Sequence, residues 1–183
     1  MNYKITYNSP VILTFAIASV ILFFLNNLLG GALDSILVLR PNFNPGSLTS
    51  YISMFTYTLG HASLQHLFGN LSLMLIIGPI IEEKYGSNKL IAMMGITALF
   101  TAVLQIFFFQ SGLLGASGIV FMLIILASFT QTSSNGIPLT FIFVLFFYLG
   151  NEITSAFGND NISQFAHIAG GLIGSVFGFV LKK

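Results

Sequence analysis

Residues 115–130 read GASGIVFMLIILASFT, and this stretch decides how the rest of the chain is arranged. One serine, Ser117, stands among small residues, and an uncharged apolar run follows it to Thr130. A helix over the fourteen residues from Ser117 to Thr130 would be about 21 Å long at 1.5 Å per residue. The hydrocarbon core of a bilayer is about 30 Å thick. In a membrane, the sequence therefore predicts a short helix whose first residue, Ser117, lies below the membrane surface.

The composition of the whole chain favours a membrane protein. Of its 183 residues, 55% are hydrophobic and only 6% are charged, whereas soluble domains carry about 25% charged residues. The mean hydropathy is +0.93. Because the apolar runs are long and lack the alternation of barrel strands, the predicted fold class is an all-α membrane protein. A net charge of +1 argues against a nucleic-acid partner, and the absence of cysteine excludes disulfides and thiolate metal sites.

Polar and turn-forming clusters divide the chain into six spans within one membrane domain, residues 1–183. No charged residue occurs from Leu90 to Asn151, and since a span needs about 20 residues, this interval holds three spans. The first apolar run is longer than the roughly 7–15 residues of a signal-peptide core, which indicates a retained anchor. The prediction is a six-transmembrane-helix bundle with a short central fourth helix, whose spans are about 10–29, 64–82, 90–109, 117–130, 138–150 and 163–181.

The basic residues favour one orientation of this bundle. Six spans place both termini on one side, and Lys4, Lys84, Lys89 and the C-terminal lysines fall there, whereas Arg40 falls opposite. Under the positive-inside rule the common side is the cytoplasm, so we expect a cytoplasmic-membrane protein with both termini inside. The long first loop, residues 30–50, has no stretch that could span and is predicted to lie on the membrane surface.

The same topology brings three histidines to the side of the membrane where Ser117 lies. His61 and His66 stand at the start of the second span, and His167 stands at the start of the sixth. A serine is a weak nucleophile until a base takes its proton. No acidic residue lies within the spans near Ser117, so a histidine is the available base.

Glycines after His167 indicate how it reaches the serine. Gly170, Gly174 and Gly178 recur at a spacing of four, and such stripes of small residues let two helices approach closely in lipid. We expect the sixth helix to pack against the fourth, with His167 one turn before Gly170 and close to Ser117. The arrangement predicts a Ser-His dyad with no carboxylate to orient the histidine.

Acyl transfer at such a dyad also needs hydrogen-bond donors for the developing oxyanion. His66 and Asn70 are four residues apart, so they share one face of a helix, and both side chains can donate. The backbone N–H of Ser117, at a helix N-terminus, is a third candidate donor.

Four motifs together resemble the rhomboid intramembrane serine proteases. The resemblance covers about residue 55 to the end, with the motifs in the order of that family. The motifs are Gly115-Ala116-Ser117-Gly118 for GxSG, the second-helix segment from His61 to Asn70 for HxxxN, Gly78, Glu82 and Gly86 for GxxxExxxG, and Ala166-His167-Ile168-Ala169-Gly170 for AHxxG.

The resemblance implies an activity and a role for each matching residue. Rhomboid proteases cleave transmembrane segments of other membrane proteins and use no metal or cofactor. By the resemblance, Ser117 is the nucleophile, His167 the general base, and His66 and Asn70 the oxyanion donors. Residues 146–162 would be the movable gate and cap. The motif positions with structural roles would be Gly115, Gly118, Gly170, Gly174, Glu82 and Phe121.

Three positions depart from the family pattern. Phe121 stands where many bacterial members have a tyrosine that stacks on the histidine, so stacking is expected without the hydroxyl. Ile52 and Ser53 occupy the place of a Trp-Arg pair in the first loop, and Phe165 replaces a residue that is often small.

Other functions are weighed against this interpretation. A metal site is disfavoured because His61 and His66 are five apart, on different faces of one helix, with no HExxH motif. An α/β-hydrolase elbow would need glycine at Ile119. A transporter would show paired broken helices. The main alternative is a non-catalytic rhomboid-like protein that binds transmembrane helices; such proteins lose the dyad that this chain keeps. The oligomeric state is left open.

Overall fold

A computed structural model of the chain describes residues 4–130, 136–149 and 161–181. Within these ranges the chain is helical, and its β-type pairing is confined to an isolated bridge between Leu39 and Leu113. The predicted all-α fold class is therefore confirmed. Parts of two predicted features, residues 131–135 of the turn after the fourth span and residues 150–160 of the gate, lie outside the described residues.

Eight α-helices follow one another in the described ranges. Three of them, α1, α4 and α5, are long and apolar enough to cross a membrane. Their 19, 22 and 22 residues correspond to about 28–33 Å, close to the thickness of the hydrocarbon core. The helices are α1 (Pro10–Leu28), α2 (Asp34–Leu37), α3 (Leu48–Thr56), α4 (Leu64–Tyr85), α5 (Ser87–Phe108), α6 (Ser117–Ala127), α7 (Leu139–Val144) and α8 (Asn161–Val180).

Helix α6 forms the centre of the bundle. It has eleven residues, or about 17 Å, and every residue from 118 to 126 is buried. A helix that is apolar on all sides must be surrounded by others, and α6 packs against α4, α5 and α8. It begins at Ser117 and ends at Ala127, three residues before the predicted end at 130.

Glycines of α8 bring its backbone against the backbone of α6. A Cβ at Gly170 would overlap the backbone of Gly118, and a Cβ at Gly174 would lie 2.8 Å from the carbonyl oxygen of Met122. One at Gly178 would lie 2.5 Å from the ring of Phe129. Because the paired positions advance together along both chains, α6 and α8 run parallel, and both start on the same side of the bundle.

Glu82, near the C-terminal end of α4, is buried and caps the start of α1. Its carboxylate accepts hydrogen bonds from the backbone N–H groups of Val11 and Ile12 at 3.0 and 3.1 Å, and from the Ser87 hydroxyl at 2.7 Å. The first N–H groups of a helix have no partner within the helix, and a negative charge is stabilising beside them.

Lys84, two residues further along α4, caps the C-terminal end of α6. Its Nζ donates to the carbonyl oxygens of Phe129 and Thr130 at 2.6 and 2.7 Å. These carbonyls lie just past the last turn of α6, where a positive charge complements the helix dipole. Helix α4 therefore holds the start of α1 and the end of α6 with two opposite charges.

The segment between α1 and α4 contains more regular structure than the sequence predicted. It includes α2, α3 and a 3₁₀ turn over Tyr57–Leu59. Helix α3 packs against α2 and α5. It escaped prediction because its polarity is inverted: Leu48, Tyr51 and Phe55 are exposed, whereas the polar Ser53 is buried.

Candidate active site

Ser117 is the first residue of α6 and is partly buried. The chain reaches it through Gly115, whose φ of +121° is a conformation that residues with a side chain rarely adopt. A Cβ at Gly115 would also lie 2.7 Å from the His66 ring. Both the backbone angle and the lack of space therefore require glycine two residues before the serine.

Residues 109–116 between α5 and α6, the serine loop, are held in place by the segment between α1 and α4. The backbone N–H of Gly115 donates to the carbonyl oxygen of Tyr57 at 2.9 Å, and Leu39 and Leu113 exchange two backbone hydrogen bonds of 2.9 Å. The Tyr57 hydroxyl donates in turn to the carbonyl oxygen of Ala98 on α5 at 3.2 Å. Sequence reasoning missed Tyr57; the available signal was a phenol in an apolar stretch, which usually finds an internal hydrogen-bond partner.

His167 lies on α8 at the level of the first turn of α6. Its neighbour Ala166 contacts the residue after the serine, since a Cβ at Gly118 would lie 3.2 Å from the Ala166 carbonyl oxygen. Gly170, three residues after His167, packs against the backbone of the same residue, Gly118. The residue after Ser117 therefore contacts the backbone of α8 both before and after His167.

The imidazole of His167 stacks on the ring of Phe121. The ring centroids are 4.1 Å apart and the planes differ by 8°. Phe121 follows Ser117 by one turn, and side chains of a helix point back toward its N-terminus. Phe121 thus covers one face of the imidazole and fixes the plane of its ring.

His66 and Asn70 face the serine loop from α4. The His66 ring lies against Gly115, and the Asn70 side-chain nitrogen lies 3.9 Å from the position of a Cβ there. Asn70 is buried, and its side-chain nitrogen donates to the His66 carbonyl oxygen at 3.1 Å. The imidazoles of His66 and His167 are close enough to interact electrostatically. The four residues predicted for catalysis are thus gathered around residues 115–118.

The predicted placement of His61 on a different face of the second helix is wrong. Helix α4 begins only at Leu64, after the N-cap Ser63, so His61 lies in the preceding loop. There its ring contacts the ring of His66, with centroids 5.0 Å apart at 67°. Burial, aided by the nearby His66, lowers the pKa of His61 to about 4, although the Leu59 carbonyl opposes the change. His61 is therefore neutral near pH 7.

Other predicted positions lie outside this cluster. Glu82 is sixteen residues beyond His66 on α4, or about 24 Å along the helix, where it caps α1. Gly174 lies one turn beyond Gly170 and packs on α6. Phe165 packs against Phe109 of the loop before the serine, with ring centroids 4.5 Å apart. In the part of the chain that the structure describes, no group of three potential metal ligands comes together.

Comparison with known protein families agrees with this architecture. The family model of the Rhomboid domain matches residues 48–183, which is well over half of the chain. The match includes α3 to α8 and every residue of the cluster around Ser117. The resemblance drawn from the four motifs is confirmed, and the chain is a multi-pass membrane protein that belongs to the rhomboid family.

Proposed function

We propose that this protein is an intramembrane serine endopeptidase that cleaves transmembrane segments of other membrane proteins with a Ser117–His167 dyad. The observation that carries the proposal is the backbone contact between Gly118 and Ala166, together with the imidazole of His167 stacked on Phe121. A packing serine would not need an oriented imidazole beside it, and ionisable groups inside membranes are costly and usually functional.

The reaction follows from the chemistry of these groups. His167 takes the proton of the Ser117 hydroxyl as its oxygen attacks the carbonyl carbon of the scissile peptide. The tetrahedral intermediate collapses when the C–N bond breaks, and His167 returns the proton to the leaving amine. A water then loses a proton to His167 and attacks the acyl carbon. The bond from this carbon to the Ser117 oxygen breaks, His167 returns the proton to that oxygen, and the carboxylic acid is released.

Three donors would stabilise the oxyanion of both tetrahedral intermediates. These are the His66 ring, the Asn70 amide and the backbone N–H of Ser117, which has no partner within α6 because it lies in the first turn. Removing one such donor typically costs 10²–10³ in rate. We therefore expect His66→Ala to slow turnover without abolishing it.

In a catalytic triad the third residue holds the histidine ring in a fixed orientation, and here the stacked ring of Phe121 has that role. It restrains the imidazole plane by contact and adds no charge. A phenylalanine suffices for this role, and the hydroxyl that is common in the family is not required by it.

The proposed setting is the cytoplasmic membrane, with six spans in a single domain and both termini in the cytoplasm. Five of the six basic residues support this orientation, because they fall on the side of the termini in the six-span arrangement. The substrate would then approach from the bilayer, and Ser117 and His167 would open toward the outer side.

Cleavage of a model transmembrane substrate by reconstituted protein tests the proposal. Wild type should cleave, whereas Ser117→Ala and His167→Ala should not. Ser128→Ala is the matched control, since Ser128 lies at the far end of α6 with its hydroxyl bonded to the Ile125 carbonyl. A fluorophosphonate probe should label wild type and Ser128→Ala but not Ser117→Ala. Equal cleavage by all four proteins would refute the dyad, and substrate binding without cleavage by wild type would indicate the non-catalytic alternative.

A further inference from the structure

A groove of about 630 Å³ lies between α1, the α3 segment and α5. Its floor includes Ile119 of α6, and its walls include Phe15 and Ala18 of α1 and Ile91 and Gly95 of α5. This volume is in the range of roughly 300–1,000 Å³ that is usual for small-molecule sites. The groove shares no residue with the cluster around Ser117.

The groove offers a ligand only hydrocarbon surface. Its side-chain lining is apolar apart from four hydroxyl groups, and each of these already has a hydrogen-bond partner within the protein. A polar ligand would find only hydroxyl oxygens that can still accept and would lose most of its own hydration. The pairs are Thr14 with the Tyr7 hydroxyl, Thr56 with the Ile52 carbonyl, Thr58 with the Phe55 carbonyl, and Ser87 with the Glu82 carboxylate.

Gly95 shows that no protein atom fills the space. A Cβ at this position would have nothing within 4 Å, whereas a Cβ at Gly78, Gly170 or Gly174 would collide with a neighbour. A glycine within a helix costs about 1 kcal/mol relative to alanine, and here no close helix contact offsets this cost. The groove is open toward the lipid-facing surface, where Phe55 and Ile91 of its lining are exposed, so a hydrocarbon chain of the bilayer can enter and fill it.

The shape of the groove selects among apolar occupants. Along α5 it runs from Ser87 to Ala98, eleven steps or about 17 Å. A volume of 630 Å³ over that length gives a cross-section of about 40 Å², roughly half that of a helix about 10 Å wide with its side chains. A transmembrane helix is too wide for it, and a single hydrocarbon chain is not.

One end of the groove lies at a membrane boundary. Pro10 and Ser87, which line that end, are the first residues of two spanning helices, so this end lies at the level of the lipid headgroups. We propose that the groove is a lipid site that holds one acyl chain of a membrane phospholipid, with the headgroup at the end marked by these two residues.

Fluorescence quenching tests this proposal directly, because the chain has no tryptophan. Phe15→Trp places a single fluorophore in the groove wall, and Phe100→Trp places one on an exposed position of α5 outside it. The proteins in detergent micelles are titrated with a phospholipid that carries brominated acyl chains. Quenching at Phe15→Trp should saturate near one lipid per protein, whereas Phe100→Trp should respond only to excess lipid.

Variants that fill the groove supply the second arm. Gly95→Leu in the Phe15→Trp background should weaken the apparent lipid affinity at least tenfold. Ala92→Leu adds three carbon atoms, one fewer than Gly95→Leu, to an exposed position of α5 outside the groove and should leave the affinity unchanged. Ala18→Leu fills the groove from α1 and replaces Gly95→Leu if the latter fails to give a cooperative thermal transition.

Native mass spectrometry of the unaltered chain provides an independent readout. One phospholipid should remain bound per chain after detergent exchange. Equal quenching at both tryptophan positions at every lipid ratio would overturn the proposal. So would an affinity unaffected by filling the groove, the loss of all lipid in the mass spectrum, or a dimer that closes the groove with a second copy.

Discussion

Two glycine-to-alanine substitutions should have opposite effects, although the chemical change is the same. At Gly170 the three atoms nearest to an added Cβ all belong to the backbone of Gly118 and lie at or within 3.0 Å. Backbone atoms cannot rotate away, so α8 must move from α6. At Gly95 an added Cβ meets nothing within 4 Å. Both substitutions gain about 1 kcal/mol of helix propensity, which cancels in the comparison.

The difference between the two variants therefore measures the overlap. Overpacking a tight contact costs about 1–3 kcal/mol, so Gly170→Ala should be less stable than Gly95→Ala by that amount. Gly95→Ala itself should be more stable than wild type by up to about 1 kcal/mol. Equilibrium unfolding in mixed micelles of increasing SDS content measures both free energies.

Proteolytic activity should separate the variants further. Since α8 carries His167, a shift of about 1 Å between the helices can cost about 10²-fold in rate. Gly170→Ala should lose most of its activity, and Gly95→Ala should keep the activity of wild type. Equal unfolding free energies, or full activity in Gly170→Ala, would refute the backbone contact as the element that sets the dyad.

Three further changes test other contacts. Phe121→Leu removes the stacked ring, which is worth about 0.5–1.5 kcal/mol, so kcat should fall about 2- to 12-fold while Phe121→Tyr keeps the wild-type rate; equal rates for both variants would contradict this role. Lys84→Met removes the charge that caps α6 and should lower the free energy of unfolding by about 1 kcal/mol, whereas Lys84→Arg should retain it; indistinguishable stabilities would argue against the cap. Acidification from pH 7 to 4 should destabilise the fold, because the pKa of His61 is lowered to about 4 and only the unfolded histidine, with its ordinary pKa near 6.5, takes up a proton in this range. The loss is at most about 3 kcal/mol, and a pH dependence that is unchanged in His61→Phe would assign it to another group.

The fold class and the family could be predicted because their signals are redundant. Long uncharged runs report membrane helices by composition alone, and the motifs around Ser117, His167 and His66 occur in a fixed order. The close contact of α6 and α8 also followed from the sequence, since glycines at a spacing of four have few other uses in a membrane helix. The proposed roles of the site residues remain predictions that the cleavage experiment tests.

Features that depend on three-dimensional context could not be predicted. Helix α3 exposes its apolar side and buries Ser53, the reverse of the pattern that marks an amphipathic helix in water. The rings of His61 and His66 are in contact although a spacing of five predicted separate faces of one helix, because His61 lies in the loop before α4. Val11, which donates its N–H to Glu82, is 71 residues away in the sequence, and no local sequence pattern predicts such a pairing.

The parallel glycine contact between α6 and α8 restricts how these helices can move. Successive glycine contacts on α8 are four residues apart, so the two surfaces fit in one register, and the glycines would reach the next register only after a slide of about 6 Å along the helix. Small sliding displacements meet an immediate steric barrier at Gly170. The two helices are therefore expected to move together, and under the proposed function a transmembrane substrate would have to displace other helices around this pair.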